Sequence, residues 1–464
     1  MQSSAVRPLL NKFFLLFALF LSFLMADAQK SLEDALMARD YDAVTAQLKA
    51  GAPYAKEGAL QPFMLAISYA PLRVIEAFLE AGANVNTIDD YLGTPLLLAL
   101  QLERIEVAKA LLKANATVDA PSFKRAIALK NAPLLQEMLE RYRVDDESFA
   151  ILGEAIGQWQ TALVLKMVER GFALHKPYMP SVLEQAIQSG NEEMMHGVLA
   201  RMGDLKGELG ALKRAIERHY TPIATLLLEK GVDVRAQGRD EALLTWAMTY
   251  KAYDIATLLL NYAVGIDTLD REGRTPLFGA IEAHQNLLVK RLIDKGANLN
   301  ILDRYNHSLL YACVAANNYE AFLLLKERVI SDTLVILENR PIYLAIKRGF
   351  SHFFYALLDE TRVTDASLNT LVHLAAYYNR KDMLLYLLLK GHDVEVRNAR
   401  GETPLIVAVK EGSIQTATML ALWGASLEVK DERGISVLGW AKKNNHAAIV
   451  KWIEHFQIKR TYEQ

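Results

Sequence analysis

Residues 275–297 read TPLFGAIEAHQNLLVKRLIDKGA, and this stretch decides the fold. Thr275 stands where a helix N-cap is expected, and Pro276 follows in the first helical turn, where its missing N–H is no loss. Leu277 begins an apolar stripe. A second, Leu-rich segment ends at Gly296, a residue that adopts the left-handed conformation without a Cβ penalty. The stretch therefore predicts two short helices joined by a turn.

The same arrangement recurs along the chain with a period near 32 residues. A buried small residue in the first helix marks the register, and fourteen alanines form this ladder: Ala35, Ala66, Ala99, Ala126, Ala155, Ala186, Ala215, Ala247, Ala280, Ala312, Ala345, Ala375, Ala408 and Ala441. The distance from the alanine to the Gly ending the second helix is 16 residues in seven units, whereas the segment that follows varies in length. Because exposed loops tolerate insertions and stacked helices do not, the variable segment is expected to protrude as a finger.

The best units begin Thr-Pro-Leu at Thr94, Thr275 and Thr403, and here the sequence resembles the ankyrin-repeat family, whose motif is T-P-L-H-x-A. The resemblance covers roughly residues 30–458. It implies an all-α, ankyrin-type solenoid of about fourteen helix-turn-helix repeats with short β-hairpin fingers, in which each repeat buries its apolar face on its neighbours.

The resemblance is weak in the middle of the chain. Four units there lack Thr-Pro-Leu and have short fingers: those of Ala126, Ala155, Ala186 and Ala215. They are either degenerate repeats or a stretch in which the stacking changes. The expected organisation is a signal peptide at 1–28, N-terminal repeats at 29–119, divergent repeats at 120–240, and C-terminal repeats with a capping helix at 241–464.

The N-terminal segment has the pattern of a secretory signal peptide. Arg7 and Lys12 precede a short apolar run, and Ala26-Asp27-Ala28 is a small-residue cleavage site. An uncleaved N-terminal membrane tether is the alternative. The mature protein is expected to be exported, periplasmic or secreted, and without membrane contact after cleavage.

Composition excludes several classes of function. The 464 residues contain 52 Lys and Arg against 54 Asp and Glu, a formal charge of −2 that gives no general attraction for nucleic acid. Cys313 is the single cysteine, so neither an intramolecular disulfide nor a thiolate metal cage can form. Gly203–Gly210 lacks the ending of a phosphate-binding loop. We expect no cofactor and no metal.

The ten histidines show no H-E-x-x-H or similar ligand spacing. His373 and His446 occupy positions at which the repeat motif uses structural histidines, and Cys313 is expected to be a buried small hydrophobe. Catalysis is not expected. If an enzyme site exists, it lies in the divergent block 120–240, and replacement of its histidines would reveal it: His175, His196 and His219.

The positive functional signal is the series of fingers. The family resemblance implies partner binding through the finger tips and the inner, first-helix surface. The candidate partner-binding residues are the charged and aromatic tip residues Asp90, Tyr91, Arg271, Glu272, Arg304, Tyr305, Arg400 and Arg433. The alternative is that Asp and Gly make the turns and the other tip residues are simply solvated. Tyr69, Tyr250 and Tyr378 each follow a ladder alanine by three residues and form either a binding stripe or part of the core.

The sequence thus predicts a non-catalytic protein-protein interaction scaffold or regulator in the periplasm or extracellular space. Its partner is a protein of unknown identity, nucleic acid is not a partner, and the chain is expected to be a monomer. Two alternatives remain open at this point: a secreted effector that engages proteins of another cell, and an enzyme with its site in the divergent block.

Overall fold

The computed structural model describes residues 32–52, 61–235, 242–329, 339–358 and 370–462. These residues form fourteen helix pairs, numbered here as repeats 1 to 14. Repeats 1–7 comprise Leu32–Met37 with Tyr41–Lys49, Pro62–Tyr69 with Leu72–Glu80, Pro95–Gln101 with Ile105–Lys113, Ala120–Leu129 with Ala132–Arg141, Ser148–Gly157 with Thr161–Glu169, Val182–Ser189 with Glu192–Arg201, and Leu209–Glu217 with Thr221–Glu229. Repeats 8–14 comprise Leu243–Thr249 with Tyr253–Leu259, Pro276–Glu282 with Asn286–Asp294, Leu309–Ala315 with Tyr319–Leu325, Pro341–Arg348 with Ser351–Leu357, Leu371–Tyr377 with Lys381–Leu389, Pro404–Lys410 with Ile414–Leu422, and Val437–Lys443 with Ala447–Tyr462.

The chain forms two compact units that divide between Asp233 and Val234, with His219–Thr221 grouped with the second. Within each unit the first helix of every repeat packs against the first helix of the next repeat. The helix pairs continue without interruption through residues 120–229, so the divergent repeats keep the same helical plan. The all-α repeat fold predicted from the sequence is confirmed.

Every ladder alanine lies in the first helix of its repeat, and twelve of the fourteen have no exposed surface. Within each unit, neighbouring first helices pack on one another. A larger side chain there would force the two helices apart, and overpacking a core of native density destabilises it. The regular alanine spacing is therefore a packing requirement of the stack.

Left-handed residues end the eight second helices for which the sequence predicted them. Gly296 has a φ of +85°, and Asn115, which replaces Gly in repeat 3, has a φ of +64°. Helix starts follow the predicted chemistry less uniformly. Thr94 and Thr403 accept backbone N–H bonds from Leu97 and Ile406 at 3.2 and 3.5 Å. The prediction that Thr275 caps its helix is wrong, because its buried hydroxyl makes no such bond.

Side chains from one repeat donate hydrogen bonds to carbonyls at the first-helix end of the preceding repeat. Arg380 Nε donates to Ile346 O at 2.9 Å, and Asn318 Nδ2 donates to Ile281 O at 3.0 Å. The last carbonyls of a helix have no partner within it and carry its partial negative charge. These bonds therefore fix the register of one repeat on the next.

The fingers contain little β structure. Two isolated antiparallel bridges join Asp89 to Gly93 and Lys430 to Ser436. The N-terminal signal pattern at 1–28 lies outside the described residues. No helix in the part of the chain that the structure describes combines the length and apolarity needed to cross a bilayer.

Candidate functional site

Four fingers of the C-terminal unit share one five-residue turn. It begins with a buried or half-buried Asp or Asn and has a left-handed residue at its fourth position: Asp270–Arg274, Asp303–His307, Asn398–Glu402 and Asp431–Ile435. In each turn, one oxygen of the first side chain accepts the backbone N–H of the third and fifth residues at 2.8–3.1 Å. The turn residue thus satisfies two amides that would otherwise lack partners.

The finger of repeat 3 uses a close variant of this turn. Asp89 Oδ1 accepts the N–H groups of Tyr91 and Leu92, both at 2.9 Å. In all five fingers the first Asp or Asn therefore acts structurally. These bonds show that the first residue makes the turn; whether the tips bind a partner stays a prediction.

The predicted binding residues occupy the second and third turn positions, and seven of the eight are exposed: Asp90, Tyr91, Arg271, Arg304, Tyr305, Arg400 and Arg433. Glu272 is half-buried. Arg304 lies over the Tyr305 ring, 4.8 Å from its centroid, and donates to Tyr305 Oη at 2.6 Å. The stack holds both side chains at the tip, and Arg and Tyr are residues that anchor interfaces well.

Neighbouring fingers are bonded to one another. Arg304 N donates to Glu272 O at 3.1 Å, and Glu432 N donates to Arg400 O at 3.2 Å. Gly401 makes the second contact possible, because a Cβ at this residue would lie 2.9 Å from the Glu432 nitrogen. The tips of adjacent repeats are therefore held at a fixed spacing, which the sequence did not predict.

An aromatic cleft of about 210 Å³ lies beside the finger of repeat 13. Tyr343, Tyr377 and Tyr378 line it together with Arg400 and Glu411. Glu411, with burial, raises the pKa of Tyr377. The cleft joins the first-helix surface to an exposed finger tip, so this part of the inner face offers both ring surface and charge to a ligand.

The three tyrosines considered as a binding stripe have different environments. Burial raises the pKa of Tyr69 to about 12, and its hydroxyl oxygen makes no hydrogen bond. The ring of Tyr250 packs on Trp246 with 5.2 Å between centroids. Only Tyr378 lies in the cleft, where its hydroxyl is 3.3 Å from that of Tyr343. Partial core packing therefore describes Tyr69 and Tyr250 best.

The structural interpretation of the two motif histidines and the cysteine is confirmed. His373 is 1% exposed, with Nδ1 3.2 Å from Thr370 N and Nε2 3.0 Å from Glu402 O. His446 Nε2 lies 3.0 Å from Lys410 O. Cys313 is fully buried, and burial raises the pKa of its thiol.

The divergent block contains one buried charged cluster. Glu208 is 2% exposed and accepts the Ser181 hydroxyl at 2.7 Å, and His175 Nε2 lies 3.3 Å from the other carboxylate oxygen. Burial raises the pKa of Glu208. The serine hydroxyl donates to a carboxylate and not to a histidine, which is not the order of a serine nucleophile and its base.

The other two histidines of that hypothesis are exposed, His196 on the second helix of repeat 6 and His219 in a left-handed turn. Among the described residues no group of three metal-ligating side chains occurs. That the chain is not an enzyme stays a prediction.

Sequence reasoning missed one finger. Tyr178, at the tip before repeat 6, is fully exposed and has a φ of +62°, and Met179 beside it is 52% exposed. A left-handed conformation is costly for an aromatic residue. The signal was present in the flanking Pro177 and Pro180, which favour a rigid turn.

Comparison with known proteins places these features in a family. Residues 244–333 and 373–460 match the family model described as "Ankyrin repeats (3 copies)". These ranges include the four fingers with the shared turn.

Among curated proteins, the chain is similar to human SH3 and multiple ankyrin repeat domains protein 2, with 28% identity over 44% of this chain and 11% of that protein. It is also similar to human transient receptor potential cation channel subfamily A member 1, with 24% identity over 86% of this chain and 39% of the channel. A chicken (Gallus gallus) relative, nuclear factor NF-kappa-B p105 subunit, is 27% identical over 37% of this chain and 18% of its own length. The chain thus spans less than two fifths of each of these relatives.

Two solved structures resemble parts of the chain. The human ASB11 ankyrin repeat domain covers 50% of this chain with 20% identity and a TM-score of 0.35. The ankyrin repeat domain of Bcl-3 covers 43% with 20% identity and a TM-score of 0.37. The family match and the curated relatives agree with the observed helix pairs, so the resemblance to ankyrin repeats predicted from the sequence is confirmed.

Proposed function

We propose that the chain is a non-catalytic scaffold or regulator that binds a protein partner reversibly through its finger tips and the adjoining first-helix surface. The observation that carries the proposal is the construction of the tips. A buried Asp or Asn fixes each turn, and the next two side chains are left exposed at a spacing set by finger-to-finger bonds. Rigid presentation of Arg and Tyr lowers the entropy cost of binding.

The aromatic cleft supports the same proposal. Tyr377 is 47% exposed, and Tyr343 and Tyr378 present ring surface beside Arg400. Aromatic side chains with a polar end are enriched at interfaces because they bury apolar area and keep a hydrogen-bonding group. Ankyrin repeats are protein-binding modules in general, and nothing in the proposal requires a cofactor.

The test is affinity purification of the intact chain and of a variant with four tips changed to Ala, at Tyr91, Arg271, Tyr305 and Arg400. The matched control replaces four exposed lysines outside the fingers: Lys113, Lys290, Lys295 and Lys451. We expect the tip variant to lose partners that the control retains. A tip variant with an unchanged partner list refutes the assignment, provided that both variants have the helical circular dichroism of the parent.

We further propose that the protein is exported, supported by the signal-like pattern at residues 1–28. Mass measurement of the mature N-terminus tests this: cleavage after Ala28 supports export, and an intact N-terminus in the cytosolic fraction contradicts it. Cell fractionation then separates the roles. Retention in the periplasm favours a resident scaffold, and recovery from the medium or from a host cell favours an effector.

A further inference from the structure

In the fingers of the C-terminal unit, acidic and basic side chains have different surroundings. Several of their acidic groups are engaged by the fold. Asp431 accepts two backbone amides and the Trp440 indole N–H, the last at 2.9 Å. Glu402 is 4% exposed and pairs with Lys410, and Glu395 accepts Ser426 N at 2.6 Å.

The basic groups of the same fingers face outward. Arg271 and Arg304 are exposed at the second turn position and lie 33 residues apart in the sequence. Arg400 and Arg433 are exposed at the third turn position and also lie 33 residues apart. The hydrogen bond to Tyr305 raises the pKa of Arg304, which keeps this guanidinium charged. Asp393, Glu428 and Glu432 are the exposed acids of the fingers of repeats 13 and 14, where Arg397, Arg400, Lys430 and Arg433 are exposed as well.

The wider surroundings have the same sign. Residues 339–455, which belong to repeats 11–14, contain 15 Lys and Arg against 12 Asp and Glu, although the whole chain carries a formal charge of −2. These repeats thus carry a small positive net charge. A surface region of one sign attracts oppositely charged ligands and raises their association rate.

From these observations, and resting on the proposed function, we propose that the fingers of repeats 13 and 14 bind an extended acidic segment of a protein partner, with one carboxylate to each repeat. Packed helices lie about 8–10 Å apart, and an extended chain advances about 3.3 Å per residue. An acidic residue at roughly every third position therefore matches one exposed arginine per finger. Arg forms bidentate bonds with carboxylates, and the cleft beside Arg400 accepts apolar side chains between them.

The probe is a fluorescein-labelled twelve-residue peptide, (Glu-Gly-Ser)4, titrated with the full-length chain at low salt and followed by fluorescence anisotropy. Two control peptides have the same length: (Gln-Gly-Ser)4, without charge, and a peptide with its four Glu contiguous. We expect binding of the first peptide that weakens as salt rises, no measurable binding of the Gln peptide, and weaker binding of the contiguous one.

The variant R400Q/R433Q is expected to weaken binding about threefold to tenfold, since each exposed ion pair contributes modestly. The matched control, K290Q/K390Q, removes two exposed lysines, one on the second helix of repeat 9 and one directly after the second helix of repeat 12, and should leave affinity unchanged. Gln keeps the backbone of each turn intact, so Arg400 O still accepts Glu432 N. Equal circular dichroism and equal midpoints of urea unfolding verify that both variants are folded.

Several results overturn the inference. Equal binding of the Glu and Gln peptides, or equal loss in both variants, removes the role of the arginines. Equal binding of the contiguous peptide refutes the match of one carboxylate per finger. Tighter, variant-sensitive binding of a single-stranded oligothymidylate or of phosphatidylserine vesicles assigns the surface to a different anion. If affinity purification still finds tip-dependent partners while the acidic peptide fails to bind, the proposed function stands and this inference alone fails.

Discussion

The first residues of the fingers in repeats 13 and 14, Asn398 and Asp431, are predicted not to be interchangeable. Each is 7% exposed, and in each the Oδ1 atom serves the turn. The second terminal atom differs. Asn398 Nδ2 donates to Glu402 Oε2 at 3.0 Å, whereas Asp431 Oδ2 accepts Trp440 Nε1 at 2.9 Å. An exchange of the two residue types reverses the polarity of a buried contact.

The size of the effect follows from these contacts. N398D directs a carboxylate oxygen at the buried carboxylate of Glu402, which removes one hydrogen bond and adds a like charge. D431N directs an amide donor at the indole N–H of Trp440. A buried polar group left without a partner costs about 1–3 kcal/mol, and more when it is charged. We therefore expect an apparent unfolding free energy lower by about 2–4 kcal/mol for N398D and about 1–3 kcal/mol for D431N.

The pH dependence gives a second readout. Burial opposes ionisation of Asp431, but hydrogen bonds from Ile435, Trp440 and Arg433 outweigh it and hold the pKa of this carboxyl below its ordinary value. A carboxyl with a lowered pKa stabilises the fold above its unfolded pKa, and this contribution is lost as the pH falls through the folded value. The loss of unfolding free energy in D431N should therefore be at its full size at pH 7 and become smaller in acid.

Urea unfolding followed by tryptophan fluorescence measures both variants, and hydrogen exchange at the amides of Arg433 and Ile435 reports on the turn itself. D382N, an exposed change on the second helix of repeat 12, is the control and should stay within about 0.5 kcal/mol of the parent. If D431N is as stable as the parent at pH 7, or if its loss of stability grows on acidification, the contact of Asp431 Oδ2 with Trp440 does not determine whether Asp or Asn is required here.

Three further predictions concern other sites. G401A places a Cβ on a residue with φ +68°, 2.9 Å from Glu432 N, so faster hydrogen exchange of the Glu432 amide is expected; unchanged exchange contradicts the close approach of the fingers. Burial raises the pKa of Glu208, so the protonated side chain stabilises the fold below the unfolded pKa, and this stabilisation is lost as the pH rises through the pKa of the folded state. The melting temperature of E208Q should therefore exceed that of the parent more at pH 7 than at pH 4. An equal difference at both pH values would count against this. Y178G removes a left-handed tyrosine and should raise stability by about 1 kcal/mol in urea unfolding, whereas a loss would mean that the ring packs in the fold.

The helix pairs were predictable because their determinants are local in sequence. Ala280 and Gly296 are 16 residues apart in the motif, and the structure buries the first and gives the second a φ of +85°. Each of these positions requires one kind of residue. Only a small side chain fits between the helices at the first, and Gly adopts the left-handed state at little cost at the second. The prediction that Thr275 caps its helix was wrong because the residue type does not determine how its hydroxyl is rotated.

The candidate site was predictable only in part. The exposed tip residues follow from turn chemistry, since the residues after a turn-forming Asp project outward. The bond from Arg304 N to Glu272 O joins residues 32 positions apart, and the cleft joins Tyr343 to Arg400. Such contacts depend on how one repeat is placed on the next, and no local pattern encodes them. Tyr178 was missed because its finger has no turn-forming Asp at the tip.

The turn separates stability from recognition by position. Its first residue accepts two amides, and its fourth adopts a left-handed φ, as at Gly273 and Gly401. The second and third residues contribute their backbone to the finger-to-finger bonds and leave their side chains exposed. Side chains at these two positions can therefore change, from Arg-Glu to Arg-Tyr to Ala-Arg in successive described fingers, without loss of a turn hydrogen bond. It follows that substitutions at the second and third positions should alter binding while stability stays within about 0.5 kcal/mol of the parent. Substitutions at the first position should instead lower stability and leave binding unaltered.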